Sequence, residues 1–138
     1  MKRSMIALGL AGLLSLTSCT GPAPDYRFAT VVWGLGQLST EPNRITWTVE
    51  IEQGAVTRVE EKDGQSNQTS YQLADVGDFE KALHAALNPP QRPDCMDANG
   101  VIVQATDVAA EQYAAELLQC GGQERVVDDL LDAVEQHG

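Results

Sequence analysis

The sequence predicts an α+β fold, in which an antiparallel sheet of three to five strands is covered by two amphipathic helices. Residues 45–52 alternate apolar and polar side chains, the pattern of a strand buried on one face. Residues 75–87 and 123–136 instead repeat apolar side chains at helical spacing. Because the alternating segment has one polar face, an antiparallel sheet with one wet face is favoured.

Further strands are predicted from composition. Residues 26–35 contain Phe28 and Trp33 among β-branched residues, and residues 101–105 read VIVQA. Residues 55–61 follow the alternating strand after Gln53-Gly54, which indicates a tight hairpin. Residues 71–73 are expected to form a short additional strand.

Two segments do not follow this scheme. Residues 63–70 (DGQSNQTS) are polar and are predicted to form a loop. Residues 108–120 are rich in strong helix formers, which favours a helix. They could equally form a strand beside residues 101–106, with Tyr113, Ala115 and Leu117 on one face. The pattern leaves both alternatives open.

Both helices carry boundary signals. Asp75 can cap the first helix, and Asn88-Pro89-Pro90 ends it. Gly121-Gly122 breaks the chain before the second helix, whose apolar stripe is opposite a row of carboxylates.

The first nineteen residues have the organisation of an export signal. Lys2 and Arg3 precede the uncharged segment 5–16, which is too short for a transmembrane helix of about 20 residues. Leu16-Thr17-Ser18-Cys19 follows directly. This segment resembles the signal peptide and lipobox of bacterial lipoproteins, in which a leucine and two small residues precede a cysteine.

The resemblance implies that Cys19 receives a diacylglycerol and becomes the N-terminus after cleavage behind Ser18. Two acyl chains anchor a protein stably to a membrane. Thr20 in place of an aspartate implies the outer membrane in a diderm cell, or the outer face of the plasma membrane in a monoderm cell. The expected organisation is a removed signal (1–18), a lipidated tether (19–25) and one globular domain (26–138).

Charge limits the partners of this domain. The chain has 20 acidic and nine basic side chains, a net charge of −11. Loss of Lys2 and Arg3 with the signal would change the net charge to −13. Nucleic-acid binding requires clustered lysine and arginine, so this balance argues against it. The expected partners are the membrane, through the lipid anchor, and an unidentified envelope protein or ligand.

The cysteines suggest a disulfide. With Cys19 lipidated, Cys95 and Cys120 remain as an even pair in an exported protein, where oxidising conditions favour a bond between them. Such a bond would close a loop of about 26 residues and stabilise the fold by roughly 3–4 kcal/mol in the chain-entropy model.

No metal site or cofactor is predicted. Asp94, Asp97, Asn99 and Gly100 partly resemble a calcium loop, but Cys95 and Thr106 occupy the end positions that need carboxylates. A turn at Asn99-Gly100 explains the pattern better.

No catalytic residues are predicted either. His84 is expected on the solvated flank of the first helix, and His137 lies beside the C-terminus. Carboxylates are numerous, and Glu60-Glu61 and Asp128-Asp129 are most simply solvated charges. A carboxylate-pair hydrolase stays an alternative, because separation and environment decide such a site.

Trp33 and Trp47 lie on predicted neighbouring strands. They fit either the core or a candidate binding surface, since tryptophan is enriched at binding hot spots. The leading hypothesis is therefore a membrane-tethered lipoprotein that acts as a non-enzymatic binding module. The alternatives are an envelope hydrolase or an inhibitor of a secreted enzyme.

Overall fold

A computed structural model describes residues 23–34, 43–91 and 99–137. They form one six-stranded antiparallel sheet and two α-helices, so the predicted α+β class is confirmed. The elements are β1 (Tyr26–Trp33), β2 (Arg44–Glu50), β3 (Ala55–Lys62), β4 (Gln65–Gln72), α1 (Val76–Leu87), β5 (Gly100–Asp107), β6 (Gln112–Leu118), a 3₁₀ turn (Gly121–Gln123) and α2 (Glu124–Glu135). The strand order is β4-β3-β2-β1-β5-β6.

The chain builds this order in two steps. Strands β1 to β4 form an antiparallel meander, and each strand pairs with the next. After β4, α1 returns the chain so that β5 pairs antiparallel with the other side of β1. A second hairpin adds β6, and α2 then packs against α1. The result is two layers, with both helices on the same side as the buried strand residues.

The core lies between the helices and one face of the sheet. Its centre is a row in which Val31 pairs with Trp47 on one side and Val103 on the other. Phe79 and Leu83 of α1 cover this sheet face and are fully buried. Each such side chain contributes about 1.5–3 kcal/mol through removal of apolar surface from water.

The helix boundaries follow the predicted signals. The Asp78 amide donates to the Asp75 carboxylate at 3.0 Å, so Asp75 caps α1 as expected. In α2, Val127, Leu130 and Val134 are buried, which confirms the predicted inward face. Within the described ranges, no helix is long and apolar enough to cross a membrane.

The predicted number of strands was too small, because residues 63–70 are not a loop. Only Asp63 and Gly64 form the turn, at φ values of +52° and +77°, and β4 begins at Gln65. An edge strand that projects beyond the helices needs no apolar face, so its polar composition concealed it. The Asp63-Gly64 dipeptide is a typical sequence signal for a two-residue hairpin, so this turn was predictable from the sequence.

The open alternative for residues 108–120 is settled as a strand, β6. Leu117 is buried, and Tyr113 and Ala115 are partly buried on the same face. Pairing with β5 and burial under the helices outweigh the helix propensity of the alanine and glutamate residues, which is a weak determinant.

Several predicted features lie outside the described residues. They are the signal and lipobox with Cys19, most of the tether, and the segment 92–98, which contains Cys95 and most of the calcium-like pattern. Cys120 is described and lies two residues after the end of β6. The lipid anchor and the Cys95–Cys120 disulfide therefore stay predictions.

Candidate functional site

Among the described residues, no element covers the face of the sheet opposite the helices. Its centre consists of eight uncharged side chains from four adjacent strands, here called the neutral platform. They are Thr30, Val32, Thr46, Thr48, Thr57, Val59, Ile102 and Gln104. The strand register aligns them in two rows across β3, β2, β1 and β5. With strands about 4.8 Å apart, each row is about 14 Å wide.

Charged residues border this platform at both ends of β2 and beside Ile102, whereas the uncharged side chains of Gln68 and Ser70 continue its rows on β4. Glu50 pairs with Phe28 at one end of β2, and Arg44 forms an ion pair with Glu61 at 2.9 Å at the other end. Glu116 flanks the platform on β6, where it pairs with Ile102. An uncharged centre inside a rim of polar and charged residues is the arrangement found in many protein interfaces.

Phe28 is the largest apolar side chain exposed beside the platform. The register shifts between Tyr26 and Phe28, and this bulge turns the two rings onto opposite faces. Tyr26 is buried under α1, whereas Phe28 is 47 % exposed. The Arg27 guanidinium carbon lies 6.0 Å from the centre of the Phe28 ring.

A depression beside Phe28 continues across β1, β5 and β6, with a volume of about 420 Å³. Its lining includes Phe28, Thr30, Gln104, Thr106, Gln112 and Ala114. None of the described residues that line it is charged. The depression can therefore accept an uncharged or apolar group without separating a charge from water.

The two tryptophans do not form this surface. Both lie on the helix-facing side of the sheet, and Trp47 is only 2 % exposed. The Trp47 indole N–H donates to Glu135 Oε2 at 2.8 Å, and that of Trp33 donates to Gln119 Oε1 at 3.2 Å. The candidate surface of Trp33 and Trp47 is corrected accordingly: Trp47 is a core residue, and Trp33 is half-buried.

A tyrosine–histidine pair lies at the start of β1. The Tyr26 hydroxyl and His84 Nδ1 are 2.9 Å apart. His84, expected on a solvated flank of the helix, is thus half-buried and hydrogen-bonded. Burial raises the pKa of the Tyr26 hydroxyl. This partly buried contact joins β1 to α1 and has a structural role.

The neighbouring Asp107 carboxylate fastens the β5–β6 turn. Its Oδ1 accepts from the amides of Ala109 and Glu111 at 2.8 and 2.9 Å, and Oδ2 accepts from the Tyr113 hydroxyl at 2.8 Å. The Tyr113 hydrogen bond, with the two amides, lowers the pKa of Asp107. In return it raises the pKa of Tyr113 to about 12.

Carboxylates converge at Arg58 near the end of α2. The guanidinium bonds Glu135 at 2.9 Å and Glu60 at 3.2 Å, so both carboxylates are already engaged in ion pairs. Nearby, burial raises the pKa of Tyr71 to about 12. The Tyr71 hydroxyl donates to the Val134 carbonyl, and its ring stacks on His137. This cluster joins the end of α2 to β2, β3 and β4.

Metal binding finds no support in the described part of the chain, which holds no group of three or more histidine, cysteine, aspartate or glutamate residues arranged for an ion.

The neutral platform is the candidate surface that the sequence analysis did not predict. Alternation in β2 already placed Thr46 and Thr48 on the wet face. No comparable sequence pattern indicates the bulge that exposes Phe28.

Similarity to known proteins adds no functional assignment. No protein-family model matches the chain, and no curated protein and no solved structure shows a significant similarity to it.

Proposed function

We propose that this protein is a lipoprotein of the cell envelope, anchored through Cys19, whose domain is a non-enzymatic module that binds a partner protein on the neutral platform. The observation that carries the proposal is the contrast between this platform and the rest of the chain. Eight uncharged positions adjoin one another in a chain with a net charge of −11.

The platform suits a protein partner for physical reasons. Threonine and valine side chains lose little conformational freedom on binding, because their χ1 angles are already restricted in strands. An uncharged centre avoids the desolvation cost of buried carboxylates. Phe28 supplies an aromatic anchor, and the adjacent depression offers room for a complementary side chain.

The tether sets the orientation of this surface. The Val108 amide donates to the Asp25 carbonyl at 2.9 Å, so the tether joins the domain beside the β5–β6 turn. From Cys19 to Asp25, an extended chain reaches only about 20 Å. Lipidation of Cys19 would therefore keep the Phe28 end near the bilayer, and the other end of the platform would point away.

The anchor is tested by Cys19→Ala. The variant is expected to lose lipid, and to leave the membrane fraction or keep its signal. Unchanged fractionation and migration would contradict the anchor. The proposed Cys95–Cys120 disulfide predicts that mass spectrometry of the non-reduced protein finds these two residues linked.

Site-specific photo-crosslinking in intact cells tests the binding surface. A photoreactive amino acid at Thr48, an exposed platform position, is expected to capture a defined partner. The matched control is Asp129, which is exposed on α2, on the opposite side of the domain. Capture should decrease when Phe28→Ala is combined with the Thr48 probe. Equal capture from both positions, or capture from Asp129 alone, would refute the platform as the binding surface.

A further inference from the structure

Among the described residues, most of strand β4 forms a free sheet edge. Its C-terminal end is closed, because Leu73 forms a bridge with His137 and the Ala74 amide donates to the Gln136 carbonyl at 2.9 Å. All its residues except Tyr71 are exposed, and none of the described strands pairs with its outer side. The register with β3 continues without a shift from Ala55–Gln72 to Lys62–Gln65. The strand contains no charge and no proline, although natural edge strands commonly use charges, prolines or bulges to prevent pairing with other chains.

The hairpin geometry identifies the outward backbone groups. In a two-residue hairpin the closing pair, Lys62–Gln65, exchanges both backbone hydrogen bonds, and such pairs then alternate. The Leu73 amide donates to the Gly54 carbonyl at 2.8 Å, which fits the same alternation. The amides and carbonyls of four residues therefore point away from β3. They belong to Ser66, Gln68, Ser70 and Gln72.

We infer that a second copy of this chain pairs with β4 in antiparallel orientation and joins the two sheets into one. The contact is related by a two-fold axis, so each copy presents the same strand to the other. The contact uses the outward backbone groups of β4, next to the neutral platform, where Gln68 is in register with Val59. It does not depend on a partner bound to the platform.

Charge distinguishes a second copy from other occupants. Two chains of net charge −11 repel each other over most of their surfaces, but β4 brings no carboxylate to the contact. Its amide and hydroxyl side chains both donate and accept hydrogen bonds, so they complement identical side chains. The strand offers no charge that would select a foreign segment instead.

The opposite edge is less suited to pairing. Strand β6 carries Glu116, so an identical strand would add like charges. In addition, the Leu118 amide already donates to the Gln123 side chain at 2.9 Å, which occupies one end of this edge.

The expected dimer is weak. A contact of one strand per copy is small compared with the roughly 1,200–2,000 Å² buried in stable complexes. Salt screens the net repulsion between the copies, so the dimer fraction should increase with ionic strength. Confinement on a membrane surface would increase it further through effective concentration.

The test is the molar mass of the full chain in detergent, measured by light scattering and sedimentation over a concentration series. Wild type should show a monomer–dimer equilibrium. Gln68→Pro removes an outward amide and leaves the β3–β4 hydrogen bonds in place, so dimerisation should weaken by about tenfold or more. The matched control, Ala114→Pro on β6, should dimerise like wild type.

A second variant covers the outcome in which proline disturbs folding. Gln68→Glu keeps the amide and adds a negative charge to each copy, so dimerisation should weaken at low salt and recover at high salt. Circular dichroism verifies that each variant is folded.

Three results would overturn the inference. One is a monomeric wild type at every concentration and salt level, and another is a dimer unaffected by either Gln68 variant. The third is a different protein that co-purifies through β4 in place of the second copy. Capture from Thr48 should persist in Gln68→Pro, so the edge contact and the platform can fail independently.

Discussion

The two edges of the sheet are built in different ways. Strand β6 lies under the helices, with Leu117 buried, and Gln123 and Asp107 fasten its two ends by hydrogen bonds. Strand β4 extends beyond the helices, and only Tyr71 turns a partly buried side chain towards them. One edge is thus part of the core. The other is held by its backbone pairing with β3 and, at one end only, by Tyr71 and by the bridge between Leu73 and His137.

Helix length explains this difference. Each α-helix has 12 residues and is therefore about 18 Å long, whereas six strands span about 24 Å between the outermost strand axes. The cover of α2 ends at Glu135, which reaches Trp47 of β2 and Arg58 of β3. Tyr71 of β4 still reaches the Val134 carbonyl at this end of α2. The rest of the β3–β4 ribbon has no described helix above it, and its residues can remain polar.

The largest difference in unfolding free energy is expected between side-chain truncations on the two edge strands. Leu117→Ala removes a side chain that is 1 % exposed, so unfolding free energy should fall by about 2–5 kcal/mol. Thr69→Ala, at an exposed position of β4, should change it by less than about 0.5 kcal/mol. Denaturant unfolding of both variants measures the difference. Similar losses would show that β4 belongs to the cooperative core.

The same contrast explains how much of the fold the sequence predicts. Strand β2 alternates because only one of its faces is buried, so its pattern is readable. The polar composition of β4 gives no such pattern, although Asp63-Gly64 identifies the hairpin. In β6, Tyr113, Ala115 and Leu117 alternate, but the helix-forming residues around them left the prediction open between helix and strand. Of the candidate surface, Thr46 and Thr48 are predictable from alternation. The exposure of Phe28 depends on a bulge that composition does not encode.

A smaller loss is expected from the side chain that closes the β6 edge. Gln123 is 1 % exposed, accepts from the Leu118 amide and donates to the Pro90 carbonyl at 3.0 Å. Gln123→Ala leaves both groups without this partner, which should cost about 1–3 kcal/mol. Gln112→Ala, exposed on the same strand, is the control and should be near neutral. An equally small effect of both substitutions would show that water replaces the amide.

The turn before β6 should make stability depend on pH. The pKa of Asp107 is lowered in the folded state, so its carboxylate stabilises the fold above its unfolded-state pKa of about 4. That contribution is lost as the pH falls through the lower folded-state pKa. Asp107→Asn should therefore differ most from wild type at neutral pH and least in acid. Tyr113→Phe removes the main hydrogen bond and should raise the pKa of Asp107, which NMR titration measures. An unchanged pKa would contradict this assignment.

The smallest effect is expected at the tip of the β3–β4 ribbon. Gly64 has φ = +77°, and a Cβ there would meet no atom within 4 Å, so Gly64→Ala costs only backbone strain. For a non-glycine residue this is about 1–2 kcal/mol. Asp63→Asn is the control and should be neutral or slightly stabilising, because Asn-Gly favours the same turn. Hydrogen exchange should show faster opening of the Lys62 and Gln65 amides in Gly64→Ala, and unchanged protection of Val31 and Val103. Equal acceleration at the ribbon and the centre would mean that β4 unfolds only with the whole domain, and the two edges would then not differ in cooperativity.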